Sequence, residues 1–196
     1  MTCLKPYGWV LLAPLLAGNA IAASFDCTKA EPGSIEALVC KTPALSSKDE
    51  QLAKVYKQAT AKTTGKQTAT LKAEQRGWLK GRDECWKADD KTQCVAGAYQ
   101  QRIAELQARY ALVPSKGPFT FRCDSQPAKA LTATFYSTEP ATLLVTFADS
   151  TSLMYAQPAA SGSKYQGRNE SFWEHQGVAS VVWGYEAPEM ACKRLK

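Results

Sequence analysis

Pro114-Ser115-Lys116-Gly117-Pro118 is the stretch on which the reading of the fold turns. Two prolines and a glycine within five residues end a helix and cannot sit inside a central strand, because proline brings no ladder N–H. The apolar period differs on its two sides. On the C-terminal side apolar residues recur every second position: Phe119, Phe121 and Cys123, then Leu131, Ala133 and Phe135, then Leu143, Val145 and Phe147. Turn-rich groups, Ser137-Thr138-Glu139-Pro140 and Ala148-Asp149-Ser150, separate these runs at the close spacing of antiparallel β structure. Val178, Ser180 and Val182, with Trp183 after them, predict a late strand.

On the N-terminal side the period is helical. Ser34 to Cys40 predicts a short helix ending before Pro43, and Ser47 followed by Glu50 has the form of a capping box. Leu52, Val55, Tyr56 and Ala59 then share one helix face, until Thr63-Thr64-Gly65 breaks the pattern. Leu71, Trp78 and Cys85 lie seven apart, with Leu79 beside them. After Asp89-Asp90, the residues Val95, Tyr99, Ile103, Leu106 and Tyr110 form the clearest amphipathic stripe in the chain. The Lys48-Asp49-Glu50 and Arg82-Asp83-Glu84 runs read as helix ends and salt-bridged faces, and Trp78 and Trp86 as packing around Cys85. The expected layout is a helical domain over 23–113, a linker over 114–118 and a β domain over 119–196. The fold class is therefore α+β in two domains.

Residues 1–22 read as a secretory leader. Lys5 is the basic segment, Trp9 to Ala17 the short apolar one, and Ala20-Ile21-Ala22 the small residues before cleavage. The apolar run is too short and interrupted to span a bilayer. A lipid anchor needs a cysteine just after that run, and the early Cys3 precedes it. The expected mature chain is exported to the periplasm without a membrane anchor. It retains Cys27, Cys40, Cys85, Cys94, Cys123 and Cys192, an even set in an oxidising compartment, which favours three disulfides. There is no C-x-x-C, and the sole histidine, His175, has no cysteine near it in sequence, so no metal site is expected.

The chain carries 24 Lys and Arg against 18 Asp and Glu, a net charge of +6. The excess is spread between acids along the helical half, which describes a solvated surface rather than a nucleic-acid site. No G-x-S-x-G, phosphate loop or triad partner for His175 appears, so neither catalysis nor a cofactor is expected. Oligomeric state is not readable from the chain.

Two family resemblances add to this. The order and spacing of Phe25-Asp26-Cys27, Glu36 with Cys40, Leu45, Asp49, Tyr56, Gln75-Arg76-x-Trp78-Leu79, Arg82-Asp83-x-Cys85, Cys94, Tyr99 and Arg102-Ile103 resemble the LprI-type domain of exported bacterial proteins. Some members of that family resemble lysozyme-inhibiting lipoproteins. Ala160-Ser161-Gly162-Ser163-Lys164-Tyr165, followed by Phe172-Trp173 and closed by Cys192, resembles the signature loop of the MliC/PliC inhibitors of c-type lysozyme. That resemblance implies an antiparallel β-barrel of about eight strands. Its first and last strands would carry the Cys123–Cys192 bond, which leaves three connectivities open among Cys27, Cys40, Cys85 and Cys94.

It also implies a partner, lysozyme, and a mechanism without chemistry. In that family the serine before the glycine enters the target's cleft, and here that residue is Ser161. A c-type lysozyme cleft holds one protonated and one ionised carboxyl, and a single hydroxyl can donate to one and accept from the other. Gly162 permits close approach, Ser163 and Lys164 extend the loop, and Tyr165 walls it. Gln176 stands where the family carries a lysine, so the charge-assisted contact is missing there. Lys164, Arg168 or His175 are the substitutes in reach along the sequence. The competing expectation is a periplasmic adaptor that recognises a protein or glycan and inhibits nothing.

Overall fold

The computed structural model describes residues 23–124 and 130–195. The leader expected over 1–22 lies outside the described residues. The first half holds helices α1 (Ile35–Lys41), α2 (Pro43–Ala61), α3 (Lys66–Asp83) and α4 (Lys91–Arg109). The Ser34 side chain caps α1 by accepting from the Ala37 N–H, and Asp90 caps α4 by accepting from the Gln93 N–H. Ser47 caps nothing, contrary to expectation. Helix α2 begins at Pro43, whose fixed φ and missing N–H suit a first turn, and Ser47 falls inside it.

Val39, Leu45, Leu52, Ala59, Leu71, Val95, Tyr99 and Leu106 meet in one core, on the faces the helical periods predict. Cys27 pairs with Cys40 and Cys85 with Cys94, so both bonds staple short loops at the edge of that core. Trp86 does not pack around Cys85; it is 59% exposed. Arg82 and Asp83 form the expected ion pair at the end of α3, but Arg82 and Asp49 are buried rather than on a face, with only 2% and 7% of their surfaces accessible.

The second half is a closed meander of eight strands: β1 (Ser115–Cys123), β2 (Ala130–Tyr136), β3 (Thr142–Phe147), β4 (Ser150–Gln157), β5 (Ser163–Gln166), β6 (Glu170–His175), β7 (Val178–Trp183) and β8 (Met190–Arg194). Closure leaves no open edge, and eight strands leave an interior that side chains fill. Phe121, Leu131, Leu143, Val145, Met154, Phe172, Val181 and Met190 fill it. Each large apolar side chain buried there contributes about 1.5–3 kcal/mol. Cys123 and Cys192 are direct ladder partners of β1 and β8, so their bond locks the seam.

Two expectations need correction. Strand β1 starts at Ser115, with Pro118 inside it. A register shift between Lys116 and Phe119 absorbs the proline, and Gly117 takes φ +112. In β7 the inward residues are Ala179, Val181 and Trp183, while Val178 is exposed. The small Ala179 hides the true parity, because alanine gives little apolar signal beside two valines.

The meander sorts the connections between two barrel ends. The start of β1, the end of β8 and the connections β2–β3, β4–β5 and β6–β7 share one end. The helical domain attaches at that end. Helix α4 packs on β3, the Tyr155 hydroxyl donates to the Gln101 carbonyl at 3.3 Å, and the Ser137 N–H donates to the Pro114 carbonyl at 3.0 Å.

Candidate functional site

The β4–β5 connection carries Ser161 and Gly162, and β6–β7 is the two-residue turn Gln176-Gly177. Both lie at the same barrel end, and β6 is the floor they share. Gly162 has φ +71, and a Cβ there would stand 2.2 Å from the Glu174 carbonyl oxygen and 3.2 Å from the His175 Cβ. Glycine is required twice over, for the left-handed backbone and for the close approach. Above it, the Ser161 carbonyl accepts from the Trp173 indole N–H at 3.0 Å. The loop is therefore held to β6 through its backbone, and the Ser161 hydroxyl, which makes no bond to any described residue, faces solvent.

On the other side of β6 the turn is equally anchored. Gln176 and Gly177 have φ of +52 and +83, the type I′ pattern that matches hairpin twist. The Glu174 carboxylate accepts from the Gly177 N–H at 2.6 Å. The Arg194 N–H donates to the Gly177 carbonyl at 2.8 Å. Gln176 is the exposed tip of that turn.

Ser161, Gly162, Ser163, Lys164 and Gln176 are thus brought together as exposed residues at one barrel end, Lys164 on the outer face and Ser163 on the inward parity of β5. Ser163 stands opposite Glu174, and Lys164 opposite Trp173, with its ammonium 5.8 Å from the indole centroid. Tyr165 points away from Lys164, to the inward side that Ser163 shares. It is buried, meets Phe135 edge-on at 5.6 Å, and burial pushes its phenol pKa up. Arg168 lies in the β5–β6 connection at the opposite barrel end and is removed from the site, whereas Lys164 and His175 remain beside it. Sequence reasoning missed Trp173 as the prop of the Ser161 loop and Glu174 as the prop of both connections. Their signal was the Phe172-Trp173 pair and the residue after it, which does not reveal that β6 lies under both connections.

The helical domain gathers its motif residues as well. Arg82 donates from Nη2 to Glu36 Oε1 at 2.7 Å, from Nε to Asp83 Oδ1 at 2.9 Å and from Nη1 to the Tyr99 hydroxyl at 2.9 Å. That hydroxyl donates to Asp49 Oδ1 at 2.9 Å, and Asp49 Oδ2 accepts from the Ser24 N–H at 2.6 Å. Burial pushes the Tyr99 phenol pKa well up; Arg82 opposes the shift and Asp49 adds to it. Phe25, Tyr56, Gln75, Trp78 and Leu79 wall a cleft of about 440 Å³ over this network.

A disulfide-tied helical domain joined to a closed eight-stranded barrel, with a glycine-hinged serine loop at the barrel's attached end, defines a two-domain class in which each half matches a lysozyme-inhibitor family. Residues 27–106 match the family model "Lysozyme inhibitor LprI". Residues 121–190 match "Membrane-bound lysozyme-inhibitor of c-type lysozyme". The chain is 34% identical over 156 residues to the protein named lipoprotein LprI of Mycobacterium tuberculosis, a match covering 79% of this chain and 76% of the relative. The LprI lipoprotein of Mycobacterium bovis matches to the same extent, 34% over 156 residues. The chain belongs to the LprI family of lysozyme inhibitors.

Proposed function

We propose that this protein inhibits lysozyme by placing the Ser161 loop in the muramidase cleft, and that a c-type lysozyme is its target. The observation that carries the reading is the shared floor on β6. Ser161 and Gln176, fifteen positions apart in sequence, project from two connections anchored on Glu174 and the residues beside it. An inhibitor needs a protrusion that does not yield on contact, because ordering a loop during binding costs affinity. Here the loop backbone is ordered beforehand by Gly162 packing and by the Trp173 hydrogen bond. The exposed hydroxyl and amide are left to the partner, and nothing in the mechanism requires this chain to perform chemistry.

The three disulfides accord with an exported location, which we take to be the periplasm. The mycobacterial relatives are named lipoproteins. In this chain Cys27, the first described cysteine, is bonded to Cys40, so a lipid on Cys27 would cost that bridge. Turbidity of a cell-wall suspension with lysozyme, with and without the purified protein, tests the reading. Retarded clearing supports inhibition, and unchanged clearing with c-, g- and i-type enzymes leaves the adaptor reading.

A further inference from the structure

The barrel has a second feature at the end that bears the Ser161 loop. By ladder parity Ser163, Glu174 and Arg194 fall on the inward side with Tyr165, Phe172 and Cys192, yet they are polar. With Lys116, Phe119 and Phe135 they border a cavity of about 390 Å³. At the opposite end the corresponding inward polar groups satisfy each other: the Ser152 hydroxyl donates to Glu170 Oε2 at 2.8 Å, and the Trp183 indole N–H donates to the Ser150 hydroxyl at 3.2 Å. No such closure occurs here. The Tyr165 hydroxyl, on a side chain 9% exposed, makes no hydrogen bond to any described residue. Arg194 rests its guanidinium 3.7 Å from the Phe119 ring centroid, and among the described residues neither it nor Lys116 has a carboxylate partner. Glu174, the acid at the rim, already holds the Gly177 N–H.

We propose that this cavity is a binding site for a small anionic amphiphile, whose carboxylate or sulfonate sits between Lys116 and Arg194 and whose apolar part enters among Phe119, Phe135 and Tyr165. The volume falls in the few-hundred-Å³ range of ligand sites, which pair an apolar lining with a few converging polar groups. Two unpaired cations against one committed carboxylate set the sign of the ligand's charge. The Tyr165 phenol, which makes no hydrogen bond to any described residue, is a donor for the same headgroup. Ser163 and Glu174 border both the cavity and the loop, so an occupant lies directly beneath the surface offered to lysozyme. The site does not depend on the inhibitory reading.

The test uses the purified full chain with 1-anilinonaphthalene-8-sulfonate, and with uncharged N-phenyl-1-naphthylamine as the matched probe. The anionic probe is expected to bind saturably at one per chain and to be displaced by decanoate. The exposed pair Lys116→Glu and Arg194→Glu, shown folded by an unchanged melting temperature, should weaken the anion at least tenfold and spare the neutral probe. Phe135→Trp, which fills the cavity, should weaken both. No saturable binding, or anion binding that survives either the charge reversal or the filling, overturns the proposal. None of these readouts involves lysozyme.

Discussion

Gly162 lies against Glu174 so closely that a single added carbon would stand 2.2 Å from the Glu174 carbonyl oxygen. This contact makes the loop part of the barrel wall rather than a free excursion from it. Gly162→Ala therefore has to push the loop off β6, against both the backbone clash and a φ of +71. The expected cost is at least about 2 kcal/mol, combining left-handed strain with the displaced backbone. Chemical denaturation checks the stability, and solvent exposure of Trp173, whose indole loses the Ser161 carbonyl, reports the displaced loop. A variant as stable as the parent would show that the loop is not wedged there.

Gln176 tips a turn that the Glu174 carboxylate and the Arg194 N–H hold in place. Its side chain is exposed, so Gln176→Lys should leave the fold intact. If the Ser161 loop occupies an acidic cleft, the lysine adds a charge-assisted contact beside it. Tightening by about 1 kcal/mol is expected, because a charged hydrogen bond is roughly twice a neutral one and both partners lose water. The gain should shrink at high salt. Inhibition constants at two ionic strengths measure it, and an equal or weaker constant at both would place Gln176 away from the carboxylates.

The seam bond Cys123–Cys192 closes a separation of 69 residues, against 13 and 9 for the two helical bonds. In the chain-entropy account the longest loop stabilises most, at roughly 4 kcal/mol. Cys123→Ser with Cys192→Ser should lower the unfolding midpoint of the barrel more than Cys85→Ser with Cys94→Ser lowers that of the helices. Domain-resolved hydrogen exchange distinguishes them, and equal losses would contradict the loop-length argument.

Tyr155 gives the domain junction a pH dependence. Burial pushes its phenol pKa up to about 12, with Glu105 adding to the shift, while it donates to the Gln101 carbonyl. A raised phenol pKa means that the folded state holds the proton more tightly. The stabilisation is present in full below about pH 10, the ordinary phenol value. It is lost as pH rises from there through about 12. Tyr155→Phe should cost about 0.5–1.5 kcal/mol at neutral pH for the lost hydrogen bond, and should flatten the alkaline decline. Denaturation midpoints from pH 8 to 12 check this, and a parallel decline in both proteins would remove Tyr155 as its source.

Much of the architecture was legible because both halves obey simple periods. The stripe Val95-Tyr99-Ile103-Leu106 is buried as its spacing demands, and Leu143-Val145-Phe147 line the barrel. The misreadings share one cause, that local patterns do not record tertiary partners. Ser47-x-x-Glu50 has capping chemistry, but Pro43 starts the helix one turn earlier. Asp49 and Arg82 look like members of salt-bridged faces in charged runs, yet they are buried, and Tyr99 and Glu36, distant in sequence, supply their partners. At the site, the Ser161 motif was visible as a pattern. Its support by Trp173 and Glu174, and the exile of Arg168, follow only from the order of strands around the barrel.

The central claim is that Ser161 is the contact, and its inhibition constant against a c-type lysozyme tests this most directly. Ser161→Ala removes only an exposed hydroxyl with no bond to any described residue, so stability should be unchanged. Binding should weaken by about 1–3 kcal/mol, because a carboxyl buried in the complex loses its partner. That is roughly a 5- to 150-fold rise in the inhibition constant. A folded Ser161→Ala variant with the parent's constant would contradict the account.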